Sequence, residues 1–308
     1  MKFRLYKIVI VALTISLVSH SVLGQQLTPQ IFDLYVFKSP AMFQPETLQY
    51  FDSENIKTAK LMTSSGFNPY GKGVDSANII RYMNLFYPNP ASTGTCVIDW
   101  EDSTYYDLRK DRYSAQFNQA VDSFIKVIKF MKQARPKVKI GIFGLPFLVF
   151  YPAADVYNKD NKFDKLFQHC DFIAPEIYIV FPDKQIGGRR NITFIQHNLD
   201  IALDYAYRLN KPVIPFIWEI IPQSNQQYGG TLIPKDEYRN YARLMMHYKY
   251  NNISIKGFFL WTPSIPSPVY NKTRSHSNAI LSKSLSIHAR DSVLKSYYNE
   301  ILEMIGKQ

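Results

Sequence analysis

The chain has 308 residues, a formal charge of +11, 15% aromatic residues and only two cysteines. Two cysteines exclude a disulfide-stapled scaffold, and no His or Cys spacing resembles a metal site. The basic residues are spread along helix surfaces in short clusters such as Arg109-Lys110 and Arg189-Arg190, with no nucleic-acid-binding motif beside them, so nucleic acid is not an expected partner.

The chain opens with a positive stretch (Lys2, Arg4, Lys7), an apolar run from Ile8 to Val18, and small residues at Val22-Leu23-Gly24. That pattern predicts a secretory signal peptide over 1–24, the apolar run being too short to span a bilayer. No later stretch is long enough to cross a membrane. Loss of the three cations lowers the charge by three, to +8, and a basic protein outside the cell suits an acidic polysaccharide. Residues 25–308 are expected to form a single domain and a monomer. Three sequons, Asn191-Ile-Thr, Asn252-Ile-Ser and Asn271-Lys-Thr, are candidate glycosylation sites in a host that secretes through an endoplasmic reticulum. Cys96 and Cys170 read as small buried hydrophobes rather than a bridge.

Beyond the leader, β-branched and aromatic runs predict strands over Ile31 to Phe37, Ala59 to Thr63, Gly94 to Glu101, Val138 to Leu145, Phe172 to Val180, Pro212 to Glu219 and Gly257 to Thr262. Amphipathic patterns predict helices over Ser76 to Phe86, Ala115 to Ala134, Asn161 to His169, Phe194 to Leu209, Lys235 to Tyr248 and Ser292 to Ile305. In the second, Phe117, Val121, Phe124, Ile128 and Met131 recur at steps of three and four, which puts one face on a core. This alternation predicts an α/β fold, a distorted (β/α) TIM-like barrel of seven to eight strands. In such a barrel, chemistry belongs at the carboxyl ends of the strands.

One strand end stands out. "GTCVIDWED" runs from Gly94 to Asp102, and alternation along the strand puts Asp99 and Glu101 on one face. Two acids a few ångströms apart in a low dielectric push one of their pKa values upward, which suits acid/base chemistry. The plain structural alternative is an ion pair with Arg135 or Lys110. Other strand ends carry Tyr178 in "APEIYIVFP", Trp218 and Glu219 in "PFIWEIIP", and Trp261 in "GFFLWTPS". Aromatic faces around a carboxylate pair suit a sugar, which stacks on rings and takes hydrogen bonds at its rim.

These residues carry a resemblance. "VIDWE", Val97 to Glu101, looks like the signature of the hyaluronidases of glycoside hydrolase family 56, and its lead-in "NIIRYMNLFYPNPASTGTC" is similar to the family's helix, loop and strand. "KDRY", "RPKVKIGIFGLP", "APEIYIVFP", "KPVIPFIW" and "GFFLW" follow in the family's order, so the likeness runs from about Ile31 to Trp261. It implies endo-hydrolysis of β-linked N-acetylhexosamine bonds in hyaluronan or a chondroitin-type polymer, with retention, no cofactor and no metal. It implies Glu101 as proton donor and Asp99 as the group that orients the substrate's acetamide, whose oxygen is the nucleophile. Tyr178 would help hold that acetamide, and Trp261, Trp218 and Phe143 would line the sugar groove. Three positions depart from the family: Ile221 stands where a second tyrosine is expected, with Tyr228 a candidate replacement; Ser103 replaces an aromatic; and the loop from Glu101 to Lys110 is short. A lectin on the same barrel, binding glycan without cleaving it, is the alternative these departures raise. A chitinase-like hydrolase is a further one, but its additional acids are replaced by Val97 and Gly94.

Overall fold

The computed structural model describes residues 32–38, 43–71, 73–151, 155–261 and 287–306. The expected leader at 1–24 and the sequon at Asn271 lie outside them. In chain order the elements are β1 (Asp33–Val36), α1 (Pro45–Ser53), β2 (Lys57–Thr63), α2 (Ser64–Phe67), α3 (Ser76–Phe86), β3 (Gly94–Asp99), α4 (Ser103–Asp107), α5 (Ala115–Ala134), β4 (Val138–Ile142), α6 (Asp164–Phe167), α7 (Asp183–Ile186), α8 (Gly188–Leu209), β5 (Phe216–Ile217), α9 (Lys235–His247), β6 (Gly257–Leu260) and α10 (Ile287–Ile305). The strands pair in parallel in the order β4-β3-β2-β1-β6-β5, giving a curled α/β sheet with helical crossovers.

Six strands form among the described residues, where seven to eight were expected. Phe172 to Val180 makes only isolated bridges, Phe143 to Ala174, Ile173 to Val213 and Glu176 to Phe216, and the strand expected over Pro212 to Glu219 shrinks to β5. Prolines account for both. Pro175, Pro212 and Pro215 have no N–H to give to a ladder, so pairing on either side survives only as single bonds such as Ile177 N–H to Phe216 O (3.0 Å) and Phe216 N–H to Pro175 O (2.8 Å). The 172–178 segment thereby lies between the end of β4 and β5 without being a strand. The helix expected over Asn161 to His169 shortens to α6, and α8 starts earlier than expected, at Gly188.

Alternation along the strands sorts side chains into two sets. Val36, Cys96, Ile98, Ile140, Ile142, Ile217, Phe258 and Leu260 pack outward against the helices. Tyr35, Ala59, Val97, Phe172, Ala174, Phe216 and Phe259 point inward and pack on one another. Inward space is tight at Gly141, where a Cβ would come within 2.2 Å of the Phe172 ring. The predicted face of α5 is the one that packs: Phe117, Val121, Phe124, Ile128 and Met131 are all buried, and the Ser114 hydroxyl caps the helix by accepting from Phe117 N–H (3.2 Å). Cys96 and Cys170 are buried and unbridged, and burial lifts each thiol to about 12.

Candidate active site

β3 ends at Asp99, two residues before Glu101. Its side chains at 95, 97 and 99 point inward, with Asp99 paired in register to Thr63 of β2. Trp100 turns outward and is clamped between Phe67 (4.6 Å between ring centroids) and Phe124 (4.7 Å), which fixes the direction of its neighbours. Asp102 then caps α4, its carboxylate accepting from Thr104 N–H (2.7 Å). Asp99 is therefore half-buried inside the curl of the sheet, and Glu101 stands at its mouth, open to solvent.

Loss of hydration, followed by the nearby charge of Glu101, pushes Asp99 up to about 7. The surrounding walls also raise Glu101 by desolvation. Neither acid has an ion-pair partner among the described residues. Arg135, a counter-ion in the structural alternative, is used elsewhere: its guanidinium donates to Tyr87 O and to Asn84 Oδ1 (2.8 Å). Lys110 makes no ion pair with the acids either. One oxygen of Asp99, Oδ1, is buried with no hydrogen-bond partner.

All four aromatic candidates belong to the inward cluster. Tyr178 lies within it with its ring 5.6 Å from Trp218 and 6.5 Å from Phe143; Trp261 stacks on Phe143 at 6.3 Å and 27°. Tyr178 Oη and Trp218 Nε1 are buried and unpartnered. In the phenol of Tyr178, desolvation comes first and the charges of Glu176, Asp99, Glu101 and Glu219 follow, raising its pKa well above the ordinary value. The structure places Tyr178, Trp218, Phe143 and Trp261 in this one cluster, with Asp99 and Glu101 near enough for their charges to reach the Tyr178 phenol.

It missed Glu176. This acid sits two residues before Tyr178 and so on the same face; burial, then the charge of Glu101, lifts it to about 7, while Arg109 pulls it down. The parity that paired Asp99 with Glu101 would have found it. Glu219, next to Trp218, has the opposite parity and turns away from the site, fully buried near Tyr238, Tyr297 and Arg290; desolvation lifts it to about 8 against the opposing pull of its own backbone N–H and of Arg290. Ile221 is also buried in the outer core, its backbone bonded to Thr231 and Gly230 in a hairpin-like turn. A tyrosine there would not face Asp99. Tyr228 packs under Lys184 (4.1 Å) and accepts from Gln227.

Asn191 departs from the sequence reading. It is fully buried in α8, and its amide donates to Phe181 O (2.8 Å) and Asp183 Oδ1 (2.9 Å), so the folded chain offers no glycan acceptor there; Asn252 is exposed. Among the described residues no helix is long and apolar enough to cross a membrane, and no group of three or more His, Cys, Asp or Glu is placed to hold a metal ion.

A parallel α/β sheet curled around aromatic side chains, with an acid pair at the carboxyl ends of its strands, defines the class: a barrel-type fold with its candidate chemistry at the mouth. Solved structures agree on the fold. Bee venom hyaluronidase superposes with a TM-score of 0.62 at 15% identity, over 90% of this chain and all of that one. A second structure, bee venom hyaluronidase in complex with a hyaluronic acid tetramer, superposes at 0.55 and 14% identity, over 75% and 90% of the two chains. No known family profile matches the chain, and no curated protein matches it by sequence.

Proposed function

We propose that the protein is a secreted, endo-acting glycoside hydrolase that cleaves β-linked N-acetylhexosamine bonds in hyaluronan or a related glycosaminoglycan. The observation that carries this reading is that Asp99 Oδ1 and Tyr178 Oη are both buried without a hydrogen-bond partner, and that the charges of Asp99 and Glu101 both reach the Tyr178 phenol. Buried polar groups without partners are rare in native proteins and mark places a ligand completes. An acetamido group supplies what both lack: an N–H for Asp99 and a carbonyl oxygen for the tyrosine hydroxyl.

The chemistry follows from that placement. Asp99 accepts the acetamide N–H, and Tyr178 donates to its oxygen, aiming that oxygen at the anomeric carbon. Of the acid pair, Asp99 is the more strongly raised, so it is the one to which we assign the proton before substrate binds. A bound acetamide favours ionised Asp99, and a sugar lying over Glu101 strips its water, so the proton moves to Glu101. Glu101 gives it to the glycosidic oxygen as the bond to the anomeric carbon breaks and the acetamide oxygen closes an oxazolinium ring. Glu101, now a carboxylate, takes a proton from the water that opens that ring, restoring the starting state with retained configuration. Trp218, Trp261 and Phe143 supply the faces on which the sugar rings stack.

The test is reducing-end release from hyaluronan and chondroitin by the mature chain and by Glu101→Gln, across about pH 3.5 to 8, the interval in which carboxyl groups raised by burial titrate. Cleavage that falls by a factor of about 10² or more in the variant is expected. A folded chain that cleaves neither polymer overturns the reading and leaves a glycan-binding protein.

A further inference from the structure

Among the described residues the Arg109 side chain makes no hydrogen bond or ion pair with an anion. The turn after α4 places it one helical step past Tyr106, its N–H bonded to Tyr106 O (3.0 Å), and its guanidinium lies against three rings: Tyr106 and Phe147 at 5.0 Å each and Tyr157 at 5.3 Å. The cage is rigid. Asn158 clamps Phe147 by accepting from its N–H (2.8 Å) and donating to its carbonyl (2.9 Å), which joins the Phe147 and Tyr157 segments, and the Tyr105 ring packs on Phe147 at 5.0 Å.

Other ring-stacked arginines in the chain end on acceptors. Arg208 reaches Asp164 and Asp204, Arg290 reaches Asp291, Arg81 reaches Asn78 Oδ1 and Arg112 reaches Asp160 O. Arg109 has three rings where each of those has one, yet among the described residues its side chain has no hydrogen bond and no ion pair. Its charge is nonetheless felt inside the site, by Glu176 and Tyr105, which in turn feel Glu101. Tyr106 is 51% exposed and Tyr157 37%, so the cage opens to solvent rather than to the core.

We propose that Arg109 is the group that recognises the acidic sugar of the substrate, its preset guanidinium fork taking a uronate carboxylate in a paired hydrogen bond. Stacking leaves the fork's edge free while freezing its plane, which removes the ordering cost such a bond normally carries. A planar carboxylate matches that fork in a way a neutral sugar does not. The inference rests on the hydrolase reading for the class of polymer and adds the residue that makes acidity a requirement.

The experiment measures binding by calorimetry on the Glu101→Gln chain, with a hyaluronan hexasaccharide and its carboxyl-reduced counterpart as probes. The acidic probe is expected to bind about tenfold or more tighter, in line with a charge-assisted pair. Adding Arg109→Gln should bring the two probes within about twofold, and Arg109→Lys should retain part of the preference. Equal affinity of the two probes for the parent, a preference that survives in Arg109→Gln, or no binding of either probe overturns the proposal. The exposed position of Arg109 leaves the fold intact in these variants, which an unchanged melting temperature verifies. A chain that binds through Arg109 but never cleaves would remove the hydrolase reading and keep this one; cleavage indifferent to the carboxyl group would do the reverse.

Discussion

Tyr105 donates its hydroxyl hydrogen bond to the carbonyl of Gly144 (2.9 Å), tying the helix after Glu101 to the turn after β4. Gly144 adopts a left-handed φ of +71°, and a Cβ there would meet the Tyr105 oxygen at 2.6 Å. The glycine is thus required twice, for its backbone and for the space the phenol occupies.

Two variants should expose this tie. Tyr105→Phe leaves the Gly144 carbonyl buried without its partner and should cost about 1 to 3 kcal/mol. Gly144→Ala must strain the backbone and displace the ring, and should cost at least about 1 kcal/mol. Urea unfolding measures both; a loss below about 0.5 kcal/mol in each would show that the tie contributes little.

Tyr178 separates function from stability. Its hydroxyl is buried without a partner, which is a cost to the folded state. Tyr178→Phe should therefore leave the melting temperature unchanged or raise it by a few degrees, while kcat/KM on hyaluronan falls at least about tenfold, the worth of one well-placed donor. A variant that loses stability and keeps its rate would mean that the hydroxyl serves packing.

How much of this was visible beforehand depended on which signal each residue gives. Val97 and Asp99 could be placed because side chains alternate along a strand; the strand expected to reach Glu101 ends at Asp99, so Glu101 lies just beyond it. Trp100 marked the opposite face. Glu176 obeys the same rule, two residues before Tyr178 in a segment the sequence reads as a strand, but it stands there as a single acid with no second carboxylate beside it to mark it. The Arg109 cage was invisible for a different reason: Phe147 and Tyr157 reach it from a distant loop, and no local spacing announces a contact of that kind. Ile221 looked damaging only because a linear comparison cannot tell which way a side chain faces.

The sequon at Asn191 offers a contrast between pattern and burial. Expressed through a secretory pathway, the chain should carry no glycan at Asn191, and Thr193→Ala, which destroys the sequon but keeps the buried amide, should leave the mass of attached glycan unchanged. Asn191→Ala should cost about 1 to 3 kcal/mol, because Phe181 O loses its amide donor and Asp183 keeps only the Tyr241 hydroxyl. Mass spectrometry of the intact protein decides the first point; a glycan on Asn191 would mean that this part of α8 is modified before it packs.

Stability should run opposite to the usual carboxylate trend. Asp99, Glu176 and Glu219 have folded pKa values raised to about 7, 7 and 8, above the ordinary range near 4. Between those limits the native chain holds protons that the unfolded chain has released. The protonated groups therefore support the fold fully at low pH, and that support is lost as pH rises from about 4 through about 8, at up to about 1.4 kcal/mol per pH unit for each group. The melting temperature should be higher near pH 5 than near pH 8. Glu219→Gln replaces the neutral carboxyl with an amide of the same shape, removes one of the three raised groups and should lessen that decline. Equal slopes in the two proteins would place the burial cost of Glu219 elsewhere, on a partner that keeps the carboxylate charged.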